Sequence, residues 1–411
     1  MENLFLEALS ASISNQKVTW EHVFSNEQWQ ALFELADCHH VLPMIYDAVS
    51  SCPAANQANA QLFLRTKKKV FQQVFLQINK TSEFTALYRH LEEKGLQPVL
   101  IKGLVCRELY PNPDYRSSND EDLLIFDQQF LACHEAMLEF GMFVGDPTAN
   151  LEEDYEIPYR KQGSPLYIEL HRHLFPPQSG AYGNFNDFFT EERVRTVQVV
   201  LQGNRITTLA PTEHLLYLFC HAYKHFLHSG FGIRQLCDIT LFAKTYCEKI
   251  DWNYVYASCK KLRAEYFVAA MLKIARDHLS VFPDCGHMPE LWKKTDVDEK
   301  PLLADILSAG VFGKSSESRV HSSNMTLEAV ADSRSGSQAK PSLRTSLFPA
   351  LGYMRKRYRY LEKYPFLLPV AWVSRIASYA KSSLRSGGSV TEAMDIGNER
   401  IELLRHYGII E

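Results

Sequence analysis

The chain has 411 residues, of which 46% are hydrophobic and 12% aromatic, with a formal net charge of -4 and a pI near 6.4. That length and apolar content allow a large buried core in two or three domains, which excludes a fibrous or wholly disordered polypeptide. The near-balanced charge gives no overall electrostatic drive towards nucleic acid, although a local patch can still supply one.

Nine cysteines (Cys38, Cys52, Cys106, Cys133, Cys220, Cys237, Cys247, Cys259 and Cys285) include no Cys-x-x-Cys pair and are odd in number. Such usage argues against a disulfide framework or zinc ribbon and for reduced, buried thiols in a cytoplasmic protein. The start Met-Glu-Asn-Leu-Phe-Leu-Glu lacks the basic opening and long apolar run of a signal peptide. The longest apolar block, Pro365 to Val373, is too short for a membrane span and carries two prolines.

In chain order, residues 1–90 read as a helical region. Trp29, Leu32, Phe33 and Leu35 are helically spaced, and Val70, Phe71, Val74, Phe75 and Ile78 make a second stripe, preceded by the solvated run Lys67-Lys68-Lys69. Residues 91–205 change character and form the expected catalytic core. Lys94-Gly95 ends a helix, Pro98–Ile101 reads as a buried strand, Leu104–Tyr110 as a short helix and Pro111–Asp114 as a turn. Asp122–Phe126 gives a second strand, and Asp127 caps a helix that runs to Phe140 and stops at Gly141. In Leu166–His171, Leu166, Ile168 and Leu170 alternate with Tyr167, Glu169 and His171, the pattern of a half-buried strand.

Asp120 and Asp122 stand one residue apart at the opening of the second strand, so their side chains project to the same face. Paired carboxylates of this kind hold a divalent cation with hard oxygen ligands, and the Lys102-Gly103 turn beside them can meet an anion. Glu169 lies on the polar face of its strand, where a third ligand would have to stand, and three carboxylates can hold two divalent ions. The pattern points to metal-dependent phosphoryl or nucleotidyl transfer. Displacing pyrophosphate builds negative charge on the attacking and leaving oxygens, which cations a few ångströms apart can stabilise. Lys102 would act as a point charge on the phosphates and Arg116 as a second clamp.

These residues carry a resemblance. Val-Leu-Ile-Lys-Gly, Arg116, Asp120-x-Asp122-Leu-Leu-Ile and Ile-Glu-Leu-His resemble the uncharacterised bacterial nucleotidyltransferase family of the DNA polymerase beta-like superfamily. Leu209-Ala-Pro-Thr-Glu-His-Leu-Leu, His221-Ala-x-x-His225 and Arg234-Gln-Leu-Cys-Asp238-Ile are similar to it as well, so the likeness spans about residues 30 to 280. It implies an α+β fold, a small mixed sheet flanked by extensive helical regions. It also implies Asp120, Asp122 and Glu169 as ligands of Mg2+ (two ions, with Mn2+ as a substitute) and Lys102-Gly103 close to a nucleoside triphosphate such as ATP. Four features depart from the pattern: Glu121 stands between the aspartates, Asn119 precedes them, the third acid is Glu169 rather than the commoner Asp, and Lys-Gly replaces the superfamily's Gly-Ser. They motivate a different class of reading, a partner-binding protein that retains the nucleotide fold without catalysis.

Residues 206–312 read as a helical domain. His214, His221, His225 and His228 share one helical face, and His221 with His225 has the spacing of zinc-binding helices without the following Glu of a metalloprotease. Contact of His221, His225 or His171 with the nucleotide or acceptor is the expectation, with His173 a similar candidate and Asp238 in an internal ion pair. The Ser-rich stretch 313–346 reads as a linker or long loop.

Residues 347–411 form a basic, aromatic C-terminal helical segment. Between Pro341 and Arg385 the charges are Arg344, Arg355, Lys356, Arg357, Arg359, Lys363, Arg375, Lys381 and Arg385 against Glu362 alone. This stretch can meet an anionic membrane surface, an RNA acceptor or an acidic partner, or pack its aromatics on the core with its charges solvated. The reading as a whole is a cytoplasmic Mg2+-dependent nucleotidyltransferase. Its acceptor is expected to be a small molecule, peptide or protein, with an RNA-directed enzyme as the alternative.

Overall fold

The computed structural model describes residues 1–294, 296–309, 317–335, 351, 354–355, 358, 360–374 and 390–411. Four helices come first: α1 (Glu2–Ile13), α2 (Asn26–Cys38), α3 (Leu42–Val49) and α4 (Ala60–Glu93). Local chemistry starts two of them. Ser25 and Gln28 close a capping box on α2, and the Asn59 side chain accepts from the Gln61 and Leu62 amides at the head of α4. The apolar stripe of α2 buries Trp29, Leu32 and Phe33, whereas Phe71, Phe75 and Ile78 of α4 stay exposed.

The sheet region follows as β1 (Val99–Ile101), α5 (Gly103–Arg107), β2 (Glu121–Leu124), α6 (Asp127–Glu139), β3 (Met142–Val144), β4 (Glu156–Lys161), β5 (Tyr167–His171), β6 (Thr196–Leu201) and β7 (Asn204–Leu209). These strands make one mixed sheet in the order β3-β4-β5-β2-β1-β7-β6. At its centre β2 runs antiparallel to β1 and parallel to β5, and β1 runs parallel to β7. Centrality explains the short, apolar β1, all of whose residues are buried. The expected helix over Leu104–Tyr110 is shorter than its apolar spacing suggested, because helical geometry ends at Arg107, whose side chain turns in towards β2.

Helices α7 (Pro211–Leu227), α8 (Ile233–Thr245), α9 (Trp252–Lys261), α10 (Glu265–Leu279), α11 (Glu290–Lys294) and α12 (Lys300–Ala309) then close the core. Pro at the first helical position of α7 costs no hydrogen bond there, and most of the helix is buried. Together these elements give the α+β architecture expected, a mixed sheet within extensive helical regions.

Two expectations change. Within the stretch read as a linker, Glu317–Ser335 forms helix α13, which packs against the last helix, α14 (Val390–His406). Its small residues are used for close approach: Ser322 and Thr326 are buried, and Thr326 Oγ1 donates to the Leu227 carbonyl. Cys247 and Cys285 are joined in a disulfide with Cα atoms 6.0 Å apart, while the other seven cysteines are free thiols. A separation of 38 residues carries no local signal for that pair. Of the basic segment, Arg344, Lys356, Arg357, Arg359, Arg375, Lys381 and Arg385 lie outside the described residues. The described part gathers Met354, Leu361 and Ala371 into a small separate cluster and leaves Phe366, Val370 and Val373 exposed. No helix among the described residues is long and apolar enough to cross a membrane.

Candidate active site

The site begins with a sharp turn at the end of β1. Lys102 has φ +46° and Gly103 φ +36°, a region in which a side chain is strained. The Lys102 amide donates to His214 Nε2 at 3.0 Å, which fixes that imidazole as the Nδ1-protonated neutral tautomer. Burial pushes the His214 pKa down to about 3, consistent with an uncharged acceptor. Gly103 is obligatory for a second reason: a Cβ there would stand 1.8 Å from Glu121 Oε2. Glu121 faces this turn, accepting from the Leu104 amide at 2.9 Å and pairing with the fully buried Arg107 guanidinium, with Ser118 Oγ as a further donor. The acid between the two aspartates is thus a support of the Lys-Gly turn.

Strand alternation sends the next residue the other way. Asp122 is the register partner of Glu169 across the parallel β2–β5 pair, and His171 lies two residues further along β5 on the same face. His171 Nε2 stands 3.1 Å from Asp122 Oδ1 and 3.8 Å from Glu169 Oε2. Ile168 and Leu170, the alternate residues of β5, are buried on the opposite face. Asp122, Glu169 and His171 each bring one ligand atom within 4.8 Å of the others, a donor set that can hold a metal ion. Asp120 is not part of that convergence. It lies just before β2 and lines the adjoining cleft.

Charge in this face is tightly coupled. Burial would raise the Asp122 pKa, but the Lys102 ammonium, 2.9 Å from Oδ2, and the His171 hydrogen bond hold it well below the usual carboxylate range. Glu169 goes the other way: burial, then repulsion from Asp122 and Asp120, pushes it up to about 8. Burial opposes protonation of His171, yet Asp122, Glu156 and Glu169 outweigh it and raise its pKa.

Helix α7 supplies the other wall. Lys102 Nζ is 3.2 Å from His221 Nε2, which in turn is 3.1 Å from His225 Nε2. Lys102 donates to His221, and both imidazoles are neutral; burial first and Lys102 among the nearby charges drive their pKa values well below the ordinary one. His214, His221 and His225 therefore line up along one lysine, whereas His228 turns away to the Tyr182 hydroxyl at 2.6 Å. His173 is exposed beyond the end of β5.

Arg116 lines the cleft next to Lys102, but its guanidinium is taken by a carboxylate. Its Nε and terminal nitrogen donate to the two Asp238 oxygens at 3.0 and 2.6 Å, and Tyr110 also donates to Asp238 at 2.7 Å. The cleft beside Lys102, Gly103 and Asp120 is bordered by Arg234 as well, which donates to the Ser117 carbonyl and forms no ion pair among the described residues. Lys224, one turn beyond His221, is half-buried with Glu156 and Glu169 among the charges acting on it. The loop that delivers Asp120 is pinned from behind, because Lys80 of α4 donates to the Ser118 and Asn119 carbonyls at 2.5 and 2.8 Å and Gln77 accepts from the Ser118 amide. The sequence reading gives Lys224, Glu156 and Lys80 no role, and Arg234 enters it only within the run Arg234-Gln-Leu-Cys-Asp238-Ile. Only Glu156 carried a usable signal, since it begins a strand that alternates polar and buried residues.

No curated protein and no solved structure shows significant similarity to the chain. The profile of a nucleotidyltransferase family does match it, over residues 25–280, which takes in the whole sheet, the Lys-Gly turn, the carboxylate face and helices α7 to α10. The chain belongs to the uncharacterised nucleotidyltransferase family and is a transferase of that kind.

Proposed function

We propose that the chain moves a nucleoside monophosphate from a nucleoside triphosphate to an acceptor hydroxyl or phosphate, releasing pyrophosphate, as a member of the DNA polymerase beta-like superfamily. The observation that carries this reading is the register pairing of Asp122 with Glu169, with Lys102 held against Asp122 by the turn that Gly103 and Glu121 make possible.

A divalent cation fits this face by donor chemistry. Carboxylate oxygens of Asp122 and Glu169 and an imidazole nitrogen converge on one point, and Asp120 can contribute to a second ion from the cleft side. When bound, Mg2+ or Mn2+ supplies charge stabilisation for the oxygens that gain charge during transfer.

The remaining work belongs to the chain. Lys102, held between Asp122 and His221 beside the carboxylates that would hold the cation, would present its ammonium to the phosphates. Arg234 and Lys224 add positive charge on either side, in the role expected of Arg116, whose guanidinium serves Asp238 instead. The net charge of -4 supports a small-molecule, peptide or protein acceptor over a long nucleic acid.

The test is thermal stabilisation by each of the four nucleoside triphosphates, with and without Mg2+. Cation-dependent stabilisation by at least one of them, lost in Asp122→Asn, is the expected result. No cation-dependent effect with any triphosphate overturns the reading.

A further inference from the structure

The expected ligand set was three carboxylates, yet the ligand atoms that converge are those of Asp122, Glu169 and His171. We propose that His171 is a direct ligand, held by Glu156, and that the site accordingly prefers a first-row transition cation such as Mn2+ to Mg2+. The proposal rests on the reading of this face as a cation site.

Three observations carry it. First, His171 shares the strand parity of Glu169 and sits beside Asp122 rather than pointing away, with Nε2 as the nitrogen turned towards both carboxylates at 3.1 and 3.8 Å. Second, its other nitrogen is provided for. Among the described residues Nδ1 is buried without a hydrogen-bond partner, and the carboxylate beside it, Glu156 Oε2, stands 3.6 Å away on the neighbouring strand, where Glu156 is the register partner of His171. A ligating histidine typically donates its second N–H to a carboxylate, which fixes the tautomer and raises the basicity of the ligating nitrogen. A shift of a few tenths of an ångström completes that arrangement here.

Third, the ring is held in place independently of any ion. It is 4% exposed and borders Tyr155, with ring centroids 6.3 Å apart. The preference follows from ligand chemistry. Mg2+ favours oxygen donors and retains its waters, whereas an imidazole donor favours first-row transition cations, least for Mn2+ and increasingly for the later members of the row.

The test uses the full chain with Mn2+ and Mg2+ as probes. Affinities come from calorimetry and from electron paramagnetic resonance of free Mn2+, and coordination from nitrogen modulation in the spin-echo spectrum of bound Mn2+. Wild-type protein is expected to bind Mn2+ about tenfold or more tightly than Mg2+. Its spectrum should show nitrogen modulation that changes when histidine is labelled with nitrogen-15, a measurement that needs no variant. His171→Gln should lose the modulation and bring the two affinities together. Glu156→Gln should keep the modulation while weakening Mn2+ binding about tenfold.

Bound Mn2+ without nitrogen modulation in the wild type, or an unchanged affinity ratio in His171→Gln, overturns the proposal and leaves the carboxylate site standing. Unchanged binding of both cations in Asp122→Asn overturns the underlying reading instead.

Discussion

Glu121 and Asp122 are adjacent acids on one short strand, and they have opposite fates. Glu121 is completely buried with its oxygens matched by the Arg107 guanidinium, the Leu104 amide and Ser118 Oγ. Asp122 is nearly as buried, but it shares its face with Glu169 and Asp120, and Lys102 and His171 are the cations beside it. One acid is finished within the fold; the other belongs to a cluster whose charges are balanced only by shifting protons. Burial alone does not separate a structural carboxylate from a functional one. What separates them is whether the neighbouring groups satisfy each other without a ligand.

The largest effect expected from this contrast is on the structural side. Glu121→Ala leaves Arg107 charged, buried and without its carboxylate, which should cost about 3–5 kcal/mol of stability, read by denaturant titration. Gly103→Ala should be comparably damaging, because the new Cβ meets Glu121 in a backbone region closed to side chains. Asp122→Asn should do the reverse, reducing nucleotidyl transfer by about 100-fold or more while costing less stability than Glu121→Ala. An Asp122→Asn protein that is as unstable as Glu121→Ala would remove the distinction between the two faces.

A smaller effect tests the charge imbalance directly. Glu169, raised to about 8, binds a proton in the cation-free folded chain at pH values where the unfolded chain has released it, roughly between pH 4.5 and 8. The folded state binds more protons across that window, so this group's contribution to stability is present at its acid end and is lost as pH rises towards 8. In chelator-treated protein the melting temperature should therefore gain from Glu169→Gln at pH 8 relative to pH 6. Added cation should stabilise the wild type more at pH 8, since it replaces the proton. Equal gains at both pH values would show that Glu169 is not the group that is strained.

Much of this site was legible in the residues and some was not. Period-two alternation put Glu169 and His171 on one face and Ile168 and Leu170 on the other, and it equally turned Glu121 away from Asp122; these follow from strand geometry alone. The helical face of His214, His221 and His225 was also readable, though not that its target is Lys102. What escaped were contacts made over long separations. Asp238 lies 122 residues beyond Arg116, yet it takes both arms of that guanidinium, and Lys80 reaches the loop before Asp120 from a helix that showed no chemistry. Residue type and spacing report which face a side chain takes, but the partner across a domain depends on packing. The Ser-rich stretch failed for a related reason: Ser322 and Thr326 are buried in α13, and Thr326 bonds to Leu227 of α7, a partner far off in sequence.

The smallest effect concerns the positioning of Lys102, where the two regions meet. His221 holds no phosphate in this scheme; it accepts from the Lys102 ammonium and keeps the lysine pointed along the sheet end, with the His225 ring packed behind it. Replacing it by Phe keeps the volume and removes the acceptor. Lys102 retains Asp122, so the fold should persist, but its ammonium should no longer be steered from the α7 side. The loss is that of one charged hydrogen bond, so the half-saturating triphosphate concentration should rise roughly threefold to tenfold. Turnover at saturation should change less, because the carboxylate face is untouched. If turnover falls as steeply as in Asp122→Asn while triphosphate affinity is unchanged, then His221 handles the reacting groups themselves, and the division between the wall that positions and the face that reacts would have to be redrawn.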